Sequence, residues 1–475
     1  MEKRSQEIGS YVDNRKETFI DVSHQVWGFA EPRFQEYKSS AVHQETMKAL
    51  GFKVTADLAG EETAFIAEFG SGKPIIAVLG EFDALSGLSN EPDVAEHKPV
   101  PGMDQGHGCG HNLLGAGAAA AVAGVKDYME KNNVSGTIRF YGCPAEENAG
   151  GKAFLVRDGF FDDCDIAISW HPGLFNMVSA GGSLANFRVF YTFTGTSAHA
   201  AGSPHLGRSA LDAVEIMNVG VNYMREHVIS DARIHYAVTD TGGTAPNVVQ
   251  SRAQVLYAMR APTVHQVKEL KERIDKIAQG AALITETSVI GKQVSAYSNT
   301  ISNAVIEKQL GKHLEEFIPL EYTAEEEEYA RKFTAVITDF DKRNMAPTLK
   351  KVLPAKEDYE KWVDAPIYNF VAPTTVLGRG STDVGDVSWV VPTAQINTAS
   401  YAPGTAGHSW QATAQCAGIN ADKSMIAAAK VMACAAVDFL LDPELVKAAH
   451  AQWIEDLDGE TYPNPLPADY KPELW

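Results

Sequence analysis

The chain has 475 residues, which exceeds one ordinary domain and makes two domains the natural expectation. Hydrophobic residues make up 45% and charged residues 21%, as in a globular protein with a sizeable buried core. Asp and Glu total 61 against 41 Lys and Arg, so the net charge is −20. Because nucleic acids and anionic membranes bind clustered positive charge, this balance argues against both as partners.

Three features predict a cytoplasmic protein without a membrane span. The first 17 residues lack the apolar stretch of a secretory signal, and the Ala-rich run at 113–125 is too short to cross a bilayer. A helix predicted over 420–441 carries charged residues along its length, which favours a soluble helix. Five cysteines without regular spacing indicate reduced thiols.

The first part of the chain alternates predicted helices and strands. Helices are predicted over 5–27, 39–50 and 112–131, and strands over 64–69, 74–82, 137–141 and 165–170. Nearly all-apolar strands between helices predict an α/β sheet covered on both faces.

A different pattern begins near residue 183. It predicts strands over 186–194, 233–239, 254–260 and 288–296, and helices over 208–227 and 264–278. The order is βαββαβ, which is typical of a ferredoxin-like α+β domain. We therefore predict a discontinuous, mixed-sheet α/β domain made of residues 1–183 and 301–475, with residues 184–300 inserted into it.

The segment HGCGH at 107–111 places Cys109 and His111 two positions apart, just before the Ala-rich helix. A loop with this spacing can direct a thiolate and an imidazole at one zinc-like ion. Two other interpretations are compatible with the motif alone. Cys109 could be a small buried hydrophobe beside a helix-capping His111, or it could be a nucleophile with a nearby histidine as base.

Two adjacent acids, Glu146 and Glu147, follow a predicted strand in the segment PAEENAGG. The carboxyl ends of strands are where α/β sheets hold their sites. Adjacent side chains diverge, so one carboxylate can bind a metal while the other reaches a metal-bound water. The alternative is a solvated acidic pair before a glycine turn.

His171 ends another apolar strand, and His408 follows a Gly- and Pro-containing segment. Each alone indicates little, since a single histidine is usually structural. Together, Cys109, His111, the acidic pair and these histidines form about the set that a two-metal hydrolase needs. A cysteine nucleophile would leave the acids and two histidines without a role, so the sequence favours a metal-dependent hydrolase.

These motifs resemble those of the M20 metallopeptidase/amidohydrolase family, in the branch of aminoacylase-like and auxin-conjugate hydrolases. The resemblance covers essentially the whole chain and rests on GEFDAL, HGCGHN, PAEENAGG, SWHPG, GTSAHAAGSPH, GTAPNVV and GHS. It implies hydrolysis of an amide bond in an N-acyl amino acid, with p-aminobenzoyl-glutamate as the best single guess. The alternatives are another aminoacylase, dipeptidase or amide-conjugate hydrolase, or a metal-binding subunit that supports a homologous catalytic partner.

The resemblance also implies the ligands of two divalent ions, Mn²⁺ or Zn²⁺: Cys109 bridging both, His111 and His171 at one, and Glu147 and His408 at the other. Glu146 matches the general base. The wider family carries an H-x-D pair where this chain has Glu81-Phe-Asp83, so the metal-binding histidine is absent. Asp83 is then expected to orient a ligand.

In the inserted domain, His199 matches a histidine that reaches the partner subunit's site and stabilises the oxyanion there. The resemblance thus implies a homodimer or a complex with a homologous subunit, with residues 184–300 as lid and dimerisation domain. Asn247 and Arg260 resemble residues that bind the substrate's polar end, and Arg suits a carboxylate. Residues 374–388 resemble a glycine-bearing loop that lines the pocket.

Overall fold

The computed structural model describes residues 1–180, 182–373, 380–467 and 469–473. The strands are β1 (Lys53–Leu58), β2 (Glu61–Ser71), β3 (Ile75–Glu81), β4 (Gly136–Cys143), β5 (Ile166–Gly173), β6 (Met177–Val178), β7 (Ala185–Thr194), β8 (Arg233–Asp240), β9 (Arg252–Ala261), β10 (Ser288–Tyr297) and β11 (Thr393–Ala399). The helices are α1 (Lys3–Asp13), α2 (Lys16–Phe29), α3 (Tyr37–Ala49), α4 (His111–Asn132), α5 (Gly151–Arg157), α6 (Ala210–Met224), α7 (Val264–Thr285), α8 (Ala304–Phe317), α9 (Ala324–Ala335), α10 (Asp339–Val352), α11 (Lys356–Trp362), α12 (Val384–Ser388), α13 (Trp410–Gln415), α14 (Ile419–Leu441) and α15 (Pro443–Leu457).

The larger sheet has seven strands in the order β1-β2-β4-β3-β5-β11-β6. The central pairs β4–β3, β3–β5 and β5–β11 are parallel, whereas the outer pairs are antiparallel. Because β3, β4 and β5 run in one direction, their carboxyl ends meet at one edge. Residues that follow these strands are therefore brought together there.

Both faces of this sheet are covered, as the sequence predicts. Along β3, Ile76 and Val78 belong to the core that includes α4 and α14. Ile75, Ala77 and Leu79 belong to the opposite core, with side chains of α5 and α12. Alternate residues of a strand point to opposite faces, so a continuously apolar strand is the expected sequence of a doubly covered sheet.

Helix α14 is long and apolar enough to cross a membrane by length and composition alone. In the structure, 89% of its most apolar window is buried inside the protein. It packs against α4, α8 and α1. Its alanine-rich sequence thus serves close helix packing in the core of the larger domain.

The smaller sheet has the order β10-β7-β9-β8, and all its neighbouring strands are antiparallel. Helices α6 and α7 pack together and cover one face. The βαββαβ prediction is confirmed, and so is the mixed α/β fold with a ferredoxin-like insertion. On β7, Phe187 and Val189 enter the helix-covered core, whereas Asn186 and Arg188 alternate with them and point to the other face.

The structure corrects three details. The helix predicted over 5–27 is two helices, α1 and α2, and Arg15 at the break donates to both carboxylate oxygens of Asp127, at 2.6 and 2.8 Å. Strands β1, β6 and β11 were not predicted. In β1, three of the six side chains are exposed and only Leu58 is buried, which gives no apolar run. Strand β5 continues through His171 to Gly173.

Candidate metal centre

Five parts of the fold supply the side chains of the candidate site. Glu81 ends β3 and Asp83 follows it, while Glu146 and Glu147 follow β4. His171 lies in β5, Cys109 and His111 flank the start of α4, and His408 precedes α13. The parallel strands place these segments at the same edge of the larger sheet.

Gly110 allows the two residues beside it to face the same centre. Its φ is +79°, a conformation that side chains rarely adopt. A Cβ at this position would lie 2.4 Å from the Tyr401 hydroxyl and 2.6 Å from Pro172. Only glycine fits here, which explains the glycine between Cys109 and His111.

The five ligands expected from the sequence form two groups that share Cys109. In the first, the donor atoms of Cys109, His111 and His171 lie within 4.8 Å of one another. The thiol sulfur is 3.4 Å from His171 Nε2. In the second group Cys109 joins Glu147 and His408, whose Oε1 and Nε2 atoms are 3.4 Å apart. A residue common to both groups is in a bridging position.

Asp83 contacts one member of each group. His111 Nδ1 donates to Asp83 Oδ1 at 2.8 Å, and the Glu147 backbone N–H donates to Oδ2 at 2.9 Å. A carboxylate at Nδ1 fixes the imidazole and leaves Nε2 for a metal.

Two buried atoms in the cluster fit a divalent cation. His111 Nε2 and Glu147 Oε1 have no hydrogen-bond partner among the described residues. Buried polar atoms nearly always have partners, and these two point into a cluster of sulfur, nitrogen and carboxylate donors. Glu81, Asp83 and Glu146 are also buried, so a cation would balance an excess of buried negative charge.

Burial and the same excess of negative charge together set the direction of the pKa shifts in the cluster. Burial raises the pKa of Cys109 well above its usual value, and the charge of Glu147 adds to this. Burial likewise raises the pKa of Glu146, with Glu81 and Glu147 adding. Burial opposes protonation of His111, yet the charges of Cys109 and Asp83 raise its pKa well above normal. A bound cation would favour the deprotonated donors instead.

Strained backbone positions occur beside the acids and at the distant histidine. Ala145 has φ +59° and His408 has φ +54°, both in the left-handed region that non-glycine residues rarely adopt. The Ala145 N–H donates to Glu36 Oε1 at 2.9 Å, and the Tyr297 hydroxyl donates to the Glu146 carbonyl at 2.8 Å. Such strain persists where neighbouring contacts fix the chain, and it is concentrated at functional sites.

The donors open onto a cavity of about 590 Å³, lined by Cys109, Glu146, Glu147, His171 and His408 together with Phe175, Met177, Asn186, Arg188, Arg260 and Val352, among others. Arg260 lies opposite Asn186 in the register of β9 and β7, and Arg188 is on the same face. Arg188 donates to the neutral Asn148 Oδ1 at 2.7 Å. Burial and the charge of Arg188 lower the pKa of Arg260. One wall of the cavity is thus cationic in a strongly acidic protein.

Comparison with known proteins decides the family. Residues 183–286 match the peptidase dimerisation domain of the M20 family. The chain is 41% identical to the B subunit of p-aminobenzoyl-glutamate hydrolase from Escherichia coli (strain K12), over 98% of this chain and 99% of the relative. The chain belongs to the M20 family. This M20 protein is therefore a hydrolase that acts on amide bonds.

More distant relatives agree with this assignment. The M20 chain is 26% identical to Xaa-Arg dipeptidase from Homo sapiens, over 78% of this chain and 74% of the relative. A solved structure from Bacillus subtilis, described as a dinuclear metal-binding peptidase of the M20 family, aligns with a TM-score of 0.56. That alignment covers 90% of this chain and 99% of the other at 14% identity, which shows a shared fold.

Two predicted residues of the inserted domain, His199 and Asn247, lie away from the donor cluster of their own chain. His199 is exposed, and its Nδ1 accepts from the backbone N–H groups of Ala201 and Gly202 at 3.2 and 3.1 Å. The Asn247 carbonyl accepts from Ala200 N–H nearby. Neither is among the described residues that line the cavity. Within one chain, the structure does not bring them to the donor cluster.

The loop predicted over 374–388 is described only in part. Residues 374–379 lie outside the described residues. Gly380, Ser381 and Thr382 line the cavity, as expected for this M20 loop. Asp383 instead contacts Lys152, whose ammonium is fully buried and donates to Asp383 Oδ1 at 2.6 Å.

Sequence reasoning missed Lys152, Asp383 and Arg188 in this M20 chain. Arg188 could have been found, because it alternates with apolar residues on a strand. It therefore points to the same face of the sheet as residue 186. Lys152 gives no such signal, since a lysine after two glycines suggests a solvated helix start.

Proposed function

We propose that this chain hydrolyses the amide bond of an N-acyl amino acid that carries a free carboxylate, with p-aminobenzoyl-glutamate as the substrate to test first. The products would be p-aminobenzoate and glutamate. The observation that carries the proposal is the pair of donor groups sharing Cys109, beside Glu146 and the cationic wall of one cavity. The 41% identity to the E. coli p-aminobenzoyl-glutamate hydrolase chain supports the choice of substrate.

The proposed cofactors are two divalent ions per chain, Mn²⁺ or Zn²⁺. The proposed ligands are Cys109 for both ions, His111 and His171 for one, and Glu147 and His408 for the other. When bound, such ions lower the pKa of an attacking water and polarise the scissile carbonyl. A thiolate ligand favours Zn²⁺, whereas the carboxylate and imidazole ligands also suit Mn²⁺.

Glu146 is the proposed general base. Its Oε2 lies 4.0 Å from His111 Nε2, and the residue lines the cavity. In this position Glu146 would take a proton from the attacking water and return it to the leaving amine nitrogen. Asp83, bonded to His111, would keep that ligand in the correct tautomer.

Arg260 and Arg188 are the proposed partners of the substrate carboxylate. Both belong to the inserted domain and face the cavity that the donors share. A guanidinium bonds a carboxylate through two parallel hydrogen bonds, which orients as well as binds it. Both arginines line the same cavity as Glu146, so the carboxylate would be held in the cavity that also holds the scissile amide.

We also propose that residues 1–183 and 301–475 form the catalytic domain and residues 184–300 the lid and dimerisation domain. The match of residues 183–286 to a dimerisation domain supports this division. Strand β8 is an exposed edge of the smaller sheet, and an exposed edge is a ready pairing surface. In the proposed dimer, His199 and Asn247 would complete the site of the other chain, with His199 donating to the oxyanion.

The proposed partner is a second copy of this chain or a homologous subunit, and the subunit naming of the E. coli relative supports the second arrangement. Five free thiols support a cytoplasmic location.

Among other activities, a dipeptidase is favoured by the relationship to Xaa-Arg dipeptidase. A purely metal-binding subunit would not need Glu146 at an open cavity.

The test is a screen of the purified chain, loaded with Mn²⁺ or Zn²⁺, against N-acyl amino acids and dipeptides by mass spectrometry. Cleavage of p-aminobenzoyl-glutamate by this chain alone would support the proposal. Cleavage of dipeptides only would contradict the substrate. If hydrolysis appears only after a homologous subunit is added, Glu146→Gln of this chain in that complex decides its role, because unchanged activity of the variant complex would make this chain a supporting subunit.

A further inference from the structure

Glu81, at the end of β3, has its two carboxylate oxygens in different environments. The carboxylate is 2% exposed, and Oε1 accepts from Lys152 Nζ at 2.5 Å. Lys152 is itself completely buried and also donates to Asp383, from Nζ and from its backbone N–H. The carboxylate of Glu81 is therefore held at one oxygen by a fixed ammonium.

The other oxygen faces the donor cluster. Glu81 Oε2 lies 3.2 Å from His111 Nε2, which has no hydrogen-bond partner among the described residues. Glu81, His111 and Glu146 form a third set of donor atoms within 4.8 Å of one another. Ligand atoms about 2.0 Å from a tetrahedral ion are about 3.3 Å apart, which matches the separation of Oε2 and Nε2.

The balance of buried charges around Glu81 also favours a cation beside His111. Lys152 and Asp383 already form a neutral buried pair. The buried carboxylates of Glu81 and Asp83 then share one imidazole, that of His111, which leaves a net negative charge at this position. An uncompensated charge in the interior is strongly destabilising. A cation beside His111 would compensate it.

We propose that Glu81 is a further metal ligand. Its Oε2 binds the same ion as His111, and Lys152 fixes the carboxylate through Oε1. Lys152 is then a positioning residue for this ligand. The inference rests on the two-ion site proposed above and extends the ligand set by one oxygen. A carboxylate here takes the place that the wider family gives to a histidine.

The test compares Glu81→Gln with the matched variant Glu61→Gln. Glu61 is another fully buried glutamate, but it belongs to none of the donor groups. Each chain is loaded with Mn²⁺ or Zn²⁺, passed through metal-free buffer and analysed by inductively coupled plasma mass spectrometry. Affinities are measured by chelator competition. We expect two ions in wild type and in Glu61→Gln, and at least ~10-fold weaker binding of one ion in Glu81→Gln.

The outcomes separate the two proposals. Fewer than two ions in wild type would contradict the two-ion site itself. Two ions bound by Glu81→Gln with unchanged affinities would overturn the role of Glu81. A crystal structure of the metal-loaded wild type decides the matter even if Glu81→Gln does not fold. Glu81 Oε2 should lie about 2.0–2.2 Å from an ion, and a separation beyond about 3 Å would overturn the assignment.

Discussion

The thiol sulfur of Cys109 lies 3.4 Å from Nε2 of His171. His171 lies on β5, which begins at Ile166, far along the chain from Cys109. The same sulfur belongs to the donor group of Glu147 and His408. One side chain therefore connects the two halves of the proposed metal centre, and a change at Cys109 should affect both.

Cys109→Ser should lower the metal content of the purified protein, because a hydroxyl is a far weaker ligand than a thiolate. Metal analysis of the loaded protein measures this. Cys164→Ser is the control, since Cys164 is buried but lies outside the donor groups. Retention of both ions in Cys109→Ser, with loss of turnover and a trapped acyl-enzyme in wild type, would make Cys109 a nucleophile.

Arg260→Ala should raise KM by ~10–100-fold for substrates with a free carboxylate and barely change it for their carboxamide analogues. The reason is that only the carboxylate forms a charge-assisted pair, which contributes about 1.5–3 kcal/mol. Steady-state kinetics on matched substrates measure this. Arg252→Ala, an exposed position on the same strand, is the control. Equal losses on both substrate types would show that Arg260 is structural.

His199→Ala should keep its metal ions and its dimeric state but lose ~10²–10³-fold in kcat, as expected for a lost oxyanion donor. His199 is exposed and does not line the cavity of its own chain, so the proposed donor would act on the site of another chain. Mixing His199→Ala with Glu146→Gln should restore activity, because one site in the mixed dimer then has both intact groups. His205→Ala, in the same exposed segment, should remain active.

Subunit exchange is the control for this complementation and is measured with differently tagged chains. If exchange is demonstrated and the mixture is as inactive as its parents, His199 does not act across the interface.

Buried His43 should make the metal-free protein less stable in acid. Burial lowers its pKa to about 3, and neither ring nitrogen has a hydrogen-bond partner among the described residues. An unfolded histidine has a pKa of about 6.5, so between these values only the unfolded chain binds the proton. The free energy of unfolding is therefore not reduced by His43 above about pH 6.5, and it decreases as the pH falls from there toward 3.

Thermal unfolding in chelator at several pH values measures this effect. His43→Leu should lose Tm less steeply than wild type as the pH falls from about 6.5 to 4. The control His227→Leu, at an exposed histidine, should follow wild type. Parallel curves for wild type and His43→Leu would contradict a neutral buried His43.

Much of the fold could be predicted because local patterns determine it. The apolar strands between helices and the βαββαβ order of the insertion are visible in the sequence, and so are the ligand-type residues after neighbouring parallel strands. Other features depend on distant partners. The break between α1 and α2 involves Asp127, and the burial of Lys152 depends on Asp383, far along the chain. The position of His199 relative to a site depends on a second chain.

Turnover and metal content, measured together on Glu146→Gln, test the central claim most directly. The amide keeps the size of the side chain but cannot accept the proton of the attacking water. We predict wild-type metal content and a kcat lowered by at least ~10²-fold on the best substrate of the screen. Near-normal turnover would contradict a general base at Glu146, and loss of an ion together with activity would make Glu146 a ligand instead.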